Sequence, residues 1–414
     1  MSIPWHAQNR RLFLGGALLL VALYIASSFT EFLAGELASS PEHLPTAVRL
    51  QPGNAHYRHL LGRLLMLGGG ADFSAAVAQL RTSVSLNPRD SDPWFDLARA
   101  YRVMGDSLAE RSAIEGALRA DPTKPEAAWE AATFFLVRGE PERALQQYRV
   151  VMENDPYKVL AAIEMCWRLS PSVQQLLHST IPARPDSYAA LLGFLLSRDQ
   201  VDGAAQVWSR LLELGKPFEP RAAYGYVNYL LIHRKPEEAA EAWQQMAPLC
   251  GLTAYLPFPR NLIVNPRFDL DVLNQGFDWR YYTRPHVTLT LDPNEFQQGN
   301  RSMAVAFDGQ PVNDAGLFQF VAVEPNTDYD FTFYFKAPDI EGAGGPKVVI
   351  QEAYANAVLF QSGGLRDSSS WRKEEGSVHT GPDTRLVVLR VVRDPAGSPI
   401  RGTLWLDTFS LAPK

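Results

Sequence analysis

The 414 residues are 46% hydrophobic and 20% charged, an ordinary globular balance with length for two or three domains, which excludes a chain disordered by default. The formal charge of −6 is uneven, since residues 261–414 carry 14 Lys and Arg against 19 Asp and Glu and the first 260 are nearly neutral. Neither half holds a Lys/Arg cluster, which argues against nucleic acid and against strongly anionic polysaccharides as partners.

Residues 1–11 end on Arg10-Arg11, and residues 12–30, LFLGGALLLVALYIASSFT, contain no charge. As a helix these nineteen residues span about 28 Å, the thickness of a bilayer core. The flanking arginines and the acidic Glu31 and Glu36 place the short N-terminal arm in the cytoplasm and the bulk of the chain across the membrane. The predicted location is a single-pass anchor in a bacterial inner membrane with the rest periplasmic. A cleaved signal is the alternative, with Ala26-Ser27-Ser28 or Leu33-Ala34-Gly35 as small-residue exits. NRRLFLG also has the look of a twin-arginine export signal.

From residue 41 to 250 the pattern is helical and repetitive. Gln51-Pro52, Asn87-Pro88, Asp121-Pro122 and Asp155-Pro156 fall 36, 34 and 34 residues apart, each closing an apolar run of helical period. Between two of these stops lie Trp94, Leu97, Ala98, Tyr101, Gly105 and Ala117, and the next unit repeats the pattern with Ala132, Phe135, Gly139, Ala144 and Tyr148. An earlier unit has Leu61, Gly62, Leu65, Ala76 and Leu80, with a Gly68-Gly69-Gly70 turn. Degenerate units come next, around Gly193, Leu196, Ala205 and Tyr226, Leu230, Ala239. Ahead of them, residues 170–181 are too short for a unit, which predicts a break. Small residues let paired helices approach, large ones fill the space between them, and proline stops the second helix.

This pattern resembles the tetratricopeptide repeat (TPR) family. The resemblance implies an α-solenoid whose groove holds a protein partner, without catalysis. At helical spacing Trp94, Trp129, Trp208 and Trp243 are expected to pack between helices. The two cysteines, Cys166 and Cys250, lack metal or redox spacing, and read as buried thiols or as a disulfide between repeats.

Residues 251–260, GLTAYLPFPR, form a short, apolar, proline-stiffened connector. Burial of Tyr255, Leu256 and Phe258 there would dock the C-terminal region against the last repeat. Past the connector the period changes from 3.6 to 2. In DYDFTFYFK, residues 328–336, Tyr329, Phe331, Phe333 and Phe335 share one face, as in a strand with one buried side. Similar runs occupy 287–291, 302–307, 317–323, 347–353, 372–378, 385–392 and 402–411, predicting an antiparallel sandwich over 261–414. The predicted fold class is thus multidomain α plus all-β, with an N-terminal transmembrane helix, a helical solenoid and a C-terminal β-sandwich.

The order NLIVNPRFD, Trp279, GNRSMAVAF, FQFVAVEPNTDYDFTFYFKA, Trp371 and LWLDTFSL resembles the galactose-binding-like jelly rolls of carbohydrate-binding module families 4 and 9. The resemblance implies a glycan ligand, core positions for Trp279 and Trp371, and a structural calcium (Ca2+) near Asp269, Asn300 and Asp407. Aromatic, amide and charged side chains on polar faces or loops, namely Tyr281, Tyr282, Tyr334, Gln351, Tyr354 and Arg390, suit stacking on a pyranose and bonding its hydroxyls. No catalytic motif stands out: the eight histidines are scattered, and Glu374 and Glu375 point to opposite faces of a strand. The chain reads as a non-enzymatic envelope scaffold with a protein partner, a glycan ligand and a role in exopolysaccharide or envelope assembly. The alternative is a purely protein-binding scaffold whose sandwich is structural.

Overall fold

The computed structural model describes residues 5–67 and 70–414, with side chains inside the first helix from Leu14 onward. Gly68-Gly69, the first four residues and the side chains of Arg10 and Arg11 lie outside the described residues. Two compact units emerge, one ending at Pro182 and the other spanning Ala183–Lys414.

The first helix, Trp5–Ala38, runs on to Ser39-Ser40-Pro41. Its stretch Leu14–Ala38 is long and apolar enough to cross a membrane, and Leu18, Leu20, Val21, Ile25 and Phe29 on it are exposed. Three helix pairs come after it, Ala55–Met66 with Phe73–Leu86, Ser91–Met104 with Ser107–Ala120, and Pro125–Val137 with Pro141–Asn154. Local chemistry sets their ends. Asn54, Asp72, Asp90 and Asp106 accept N–H bonds from the first turns of their helices, and Pro125 and Pro141 start theirs where no donor is missed. The second helices stop at Asn87, Asp121 and Asp155, each followed by proline.

Close approach within pairs depends on glycine. A Cβ on Gly62 would lie 2.6 Å from Leu80 Cγ, and one on Gly116 2.5 Å from Trp94 Cε3. Ion pairs tie the second and third pairs to the segments that follow them, with Lys124 meeting Asp92 and Lys158 meeting Glu126, both 32 residues apart. Buried Glu110 accepts from Arg102 at 2.6 Å and from Arg138 at 2.8 Å, so its charge is fully partnered. The period breaks as expected: after Val159–Leu169 only the seven-residue helix Val173–Ser179 forms.

The second unit opens with the pairs Pro185–Leu196 with Val201–Glu213 and Pro220–Ile232 with Pro236–Leu249. Eleven strands complete it among the described residues: β1 (Arg280–Tyr281), β2 (Val287–Asp292), β3 (Ser302–Val312), β4 (Asp314–Ala322), β5 (Asp328–Ala337), β6 (Glu341–Gly342), β7 (Gly345–Glu352), β8 (Val358–Gln361), β9 (Ser368–His379), β10 (Leu386–Asp394) and β11 (Ser398–Pro413). One sheet has the order β1-β4-β10-β7-β8 and the other β2-β3-β11-β5-β9, with β6 beside β11. Neighbouring strands run antiparallel in both sheets.

The alternating face of β5 makes the core, because Tyr329, Phe331, Phe333 and Phe335 are all 2% exposed or less. Phe409 stacks on Phe333, and Trp279 packs between Phe268 and Phe409. The opening segment is stitched to β11 by Asn261, whose Nδ2 donates to the Phe409 carbonyl and whose Oδ1 accepts the Leu411 N–H. Ile263, Val264 and Phe268 are buried. Gln319 stands in for a strand neighbour, accepting the Val264 N–H and donating to the Val264 carbonyl.

Within this unit the sandwich packs on the last helix pair. Trp243 is 2% exposed, donates to the Tyr255 carbonyl at 3.0 Å and meets Phe277 edge-on. Asn228 donates to Gln275 and accepts from Arg280, Tyr354 donates to the Leu231 carbonyl, and Arg385 pairs with Glu237. The connector contributes Tyr255, whose hydroxyl donates to the Asp271 carbonyl. Phe258, expected inside, is instead 62% exposed, because its backbone pairs with Asn261 in a tight turn that points the ring outward. Both cysteines are free, so no disulfide joins the repeats.

Gly276 has φ +58, and a Cβ there would stand 2.0 Å from Trp243 Cζ3. Gly276→Ala is therefore expected to cost about 2–4 kcal/mol through strain and overpacking, read as a lower midpoint in urea unfolding, whereas Gly193→Ala, with open space around it, is expected to stay near the parent.

Candidate functional site

The outer face of the five-stranded sheet carries a run of aromatic side chains beside two arginines. Alternation along β4 sends Leu317, Gln319 and Val321 inward and leaves Phe318 and Phe320 half-buried on the outside. Register then aligns side chains from distant segments. Phe320, Val388 and Gln351 stand opposite one another, as do Arg280, Phe318, Arg390 and Val349. Tyr282 extends the β1 edge, its N–H donating to the Gly316 carbonyl.

Asp314 organises this face. Its carboxylate accepts from Arg284 Nε and Nη2 at 3.1 and 3.2 Å, from Arg390 Nη2 at 2.9 Å and from the Gly316 N–H at 2.7 Å. Burial raises its pKa, but the bonds from Arg284 and Gly316 and the charges of both arginines outweigh that and hold it below the usual carboxylate value. The Arg284 guanidinium lies 4.0 Å from the Tyr282 ring centroid, and Tyr282, Phe318 and Phe320 succeed one another at 5.6 Å centroid spacings. Two guanidinium groups thus share one carboxylate beside a run of three rings.

Of the residues singled out from the sequence, Tyr282, Gln351 and Arg390 lie on this face. Gln351 donates to Asn356 at 3.2 Å. Tyr281 lines a cleft of about 380 Å³ at the β1 edge together with Tyr282, Arg284, Val287, Leu289 and Met303. Tyr354 is occupied by the helices, donating to Leu231 with Arg234 over its ring, so it is a packing residue. Tyr334 is on β5, opposite Lys373 and Asp407 in the other sheet, and the fold separates it from the rest. Phe318, Arg284 and Asp314 were not singled out by sequence. The signal for Phe318 was present in the F-Q-F alternation of 318–320, whereas Arg284 and Asp314 are 30 residues apart and nothing local links them.

The calcium residues take a different part. Asp269 Oδ1 accepts the Asn300 N–H at 2.9 Å, and Oδ2 pairs with Arg267 at 2.9 Å. Asp407, fully buried, accepts the N–H groups of Gln297, Gln298 and Thr408. Burial raises the Asp407 pKa, and these donors offset part of the rise. The two carboxylates clamp the ends of the 297–300 loop, with Gly299 at φ +88 leaving room for Asp269. Part of the lone-pair capacity of both carboxylates is thus turned to N–H groups and to Arg267, and no group of three His, Cys, Asp or Glu suited to a metal occurs among the described residues. Chelation by EGTA is accordingly expected to shift the melting temperature by less than about 1 °C, since a specific bound ion would stabilise by mass action.

In the first unit, a groove of about 390 Å³ is lined by Arg63, Phe95, Arg99, Lys124, Glu126 and Glu130, with His59 and Asp96 at its base. His59 Nε2 and Asp96 Oδ2 are 2.7 Å apart and both residues are buried, while Arg63 and Arg99 remain half exposed. Its charges are of both signs.

Behind the sheet face, Asp278 is fully buried, its Oδ2 accepting the Leu273 N–H at 2.7 Å and its Oδ1 lacking a hydrogen-bond partner. Burial, opposed by the N–H donors of Leu273 and Trp279, pushes its pKa up to about 7. Burial likewise pushes the neighbouring Arg280 down to about 10, against the charge of Asp278. A carboxyl whose folded pKa exceeds its unfolded one stabilises fully below the unfolded value and loses that contribution as pH rises through the folded value. Stability is expected to fall between about pH 4 and pH 7, by on the order of 4 kcal/mol at most, and Asp278→Asn to flatten this slope in urea unfolding across that range.

A tetratricopeptide repeat family model matches residues 67–125, 95–158 and 195–253, so the helical part consists of tetratricopeptide-like repeats. Among solved structures, a CBM4 structure shares 14% identity over 37% of this chain and 99% of its own, with a TM-score of 0.28. The CBM22-1 xylan-binding domain of Paenibacillus barcinonensis Xyn10C shares 16% over 36% and 90%, with a TM-score of 0.25. MamA shares 15% over 44% and 91%, with a TM-score of 0.24. No curated protein matches the chain.

Proposed function

We propose that this protein is a non-catalytic scaffold of a bacterial envelope. Leu14–Ala38 anchors it in the inner membrane, the repeats hold a protein partner in the periplasm, and the outer face of the five-stranded sheet contacts a glycan during exopolysaccharide or cell-envelope assembly. The observation that carries the glycan reading is the run of Tyr282, Phe318 and Phe320 beside the Arg284–Asp314–Arg390 cluster. Rings offer apolar faces to pyranose C–H groups, and guanidinium donors meet sugar oxygens.

One observation favours the purely protein-binding alternative. The Asn228 side chain and the Leu231 carbonyl of the last helix pair hold Arg280 and Tyr354, so the helices occupy part of the sandwich surface that a ligand would need. The full chain in detergent, run through native gels containing soluble polysaccharides, separates the readings. Glycan binding predicts retarded migration that Phe318→Ala weakens by about tenfold, the value of one stacked ring, without lowering the urea midpoint by more than about 2 kcal/mol. Unretarded migration across neutral and acidic polysaccharides would leave the structural-sandwich reading standing alone.

A further inference from the structure

The sandwich as a whole is acidic, yet the face around the ring run is not. On the six-stranded sheet the charges are mixed and paired with one another, Asp328 with His379, Asp330 with Lys414 and Glu375 with Lys373. Around the ring run of the other sheet, Arg284 and Arg390 share one carboxylate, so the cluster keeps a net positive charge. Asp314 takes one N–H each from Nε and Nη2 of Arg284 and from Nη2 of Arg390, so of the five N–H donors of each guanidinium those of Nη1 and the second of Nη2 remain for an outside carboxylate. The Arg284 and Arg390 side chains are 41% and 29% exposed, whereas Asp314 is 13% exposed. Solvent and ligand therefore meet the cations, and the anion that organises them lies beneath. Nearby Lys347 does not add to this charge, being paired with Asp394.

We infer that the sugar chain met by this face is acidic, a polyuronate whose carboxylates are received by Arg284 and Arg390 while its rings lie along Phe318 and Tyr282. The inference rests on the glycan reading and specifies its ligand. A planar guanidinium matches a carboxylate in two parallel hydrogen bonds, a geometry that a neutral hydroxyl does not fill. Asp314 fixes both arginines in advance, so little side-chain freedom is lost on binding. The lack of a Lys/Arg run, which argued against anionic polysaccharides, reflects chain order: Arg284 and Arg390 come from the β1–β2 loop and from β10, and only the fold joins them.

The test uses the full chain in detergent with polygalacturonate, polymannuronate, methyl-esterified polygalacturonate and neutral xylan in affinity gels and calorimetry. The esterified polymer keeps the backbone and removes the charge. The expected result is tighter binding of a polyuronate than of the ester by at least about tenfold, falling several-fold from 0.05 to 0.5 M salt as exposed charges are screened. Arg390→Gln, which leaves Asp314 paired with Arg284, is expected to weaken polyuronate binding about tenfold, and Arg390→Lys to weaken it less. Asp314→Asn, which keeps an acceptor for Gly316 but releases both guanidinium groups from their shared anchor, is expected to weaken polyuronate binding as well. Circular dichroism of each variant reports whether the fold is intact. Equal binding of ester and acid, or of xylan and polyuronate, would overturn the inference and leave the glycan reading in place. Polyuronate binding indifferent to Arg390→Gln and Asp314→Asn in folded protein would also overturn it, and binding of no polymer would remove the glycan reading with it.

Discussion

The seating of Trp243 against Gly276 and Phe277 decides how the second unit is put together. An indole buries a large apolar area, and here its N–H is also satisfied by the Tyr255 carbonyl, so the last repeat helix and the sandwich share one packed contact. Around it stand polar bonds with fixed partners, from Asn228 to Gln275 and Arg280 and from Tyr354 to Leu231. Interfaces between domains of one chain are ordinarily more polar and looser. This one has an aromatic centre with a polar rim, the anatomy of a fixed interface. The docked helices reach Arg280 and Tyr354 but leave Tyr282, exposed at 39%, and the cluster around Asp314 open. What the helices cover and what they leave thus defines the usable part of the sheet.

Such a contact explains why the ligand candidates found by residue type scatter. Tyr354 and Gln351 are both on or next to β7, yet Tyr354 is pinned by a helix carbonyl and Gln351 faces out beside Val388. Tyr334 satisfied the same sequence criterion as Tyr282, a ring on a polar face, but the strand order places it on the other sheet. Residue type names a chemistry, and strand order decides which chemistries meet.

The elements themselves were legible to different depths. The repeat stops at 87–88, 121–122 and 155–156 coincide with helix ends because a capping residue and a proline act locally. The buried stripe of β5 was legible because period 2 is a local property of the chain. The short strands β1, β6 and β8 were not, since two to four residues show no period. Phe258 went astray for a related reason, because the direction of its ring is set by a backbone turn with Asn261 and not by its hydrophobicity. The face centred on Asp314 was the least legible, being built from a loop and two strands that are joined only by register.

Register also explains how an acidic sandwich can hold a basic face. In an antiparallel pair the residues opposite one another are fixed by the hydrophobic pattern of the inner face. Once Leu317, Val321, Val387 and Leu389 are committed to the core, Phe318 and Arg390 have no freedom in whom they face. The paired charges of β5 and β9 are held on the other sheet by the same rule, through the inward turn of Phe331 and Phe333. Core packing, which carries no information about ligands, therefore decides which surface charges share a face. A single carboxylate placed at the start of β4 then converts two separate arginines into one oriented pair, and the selectivity of the face comes from that carboxylate being shared and sheltered.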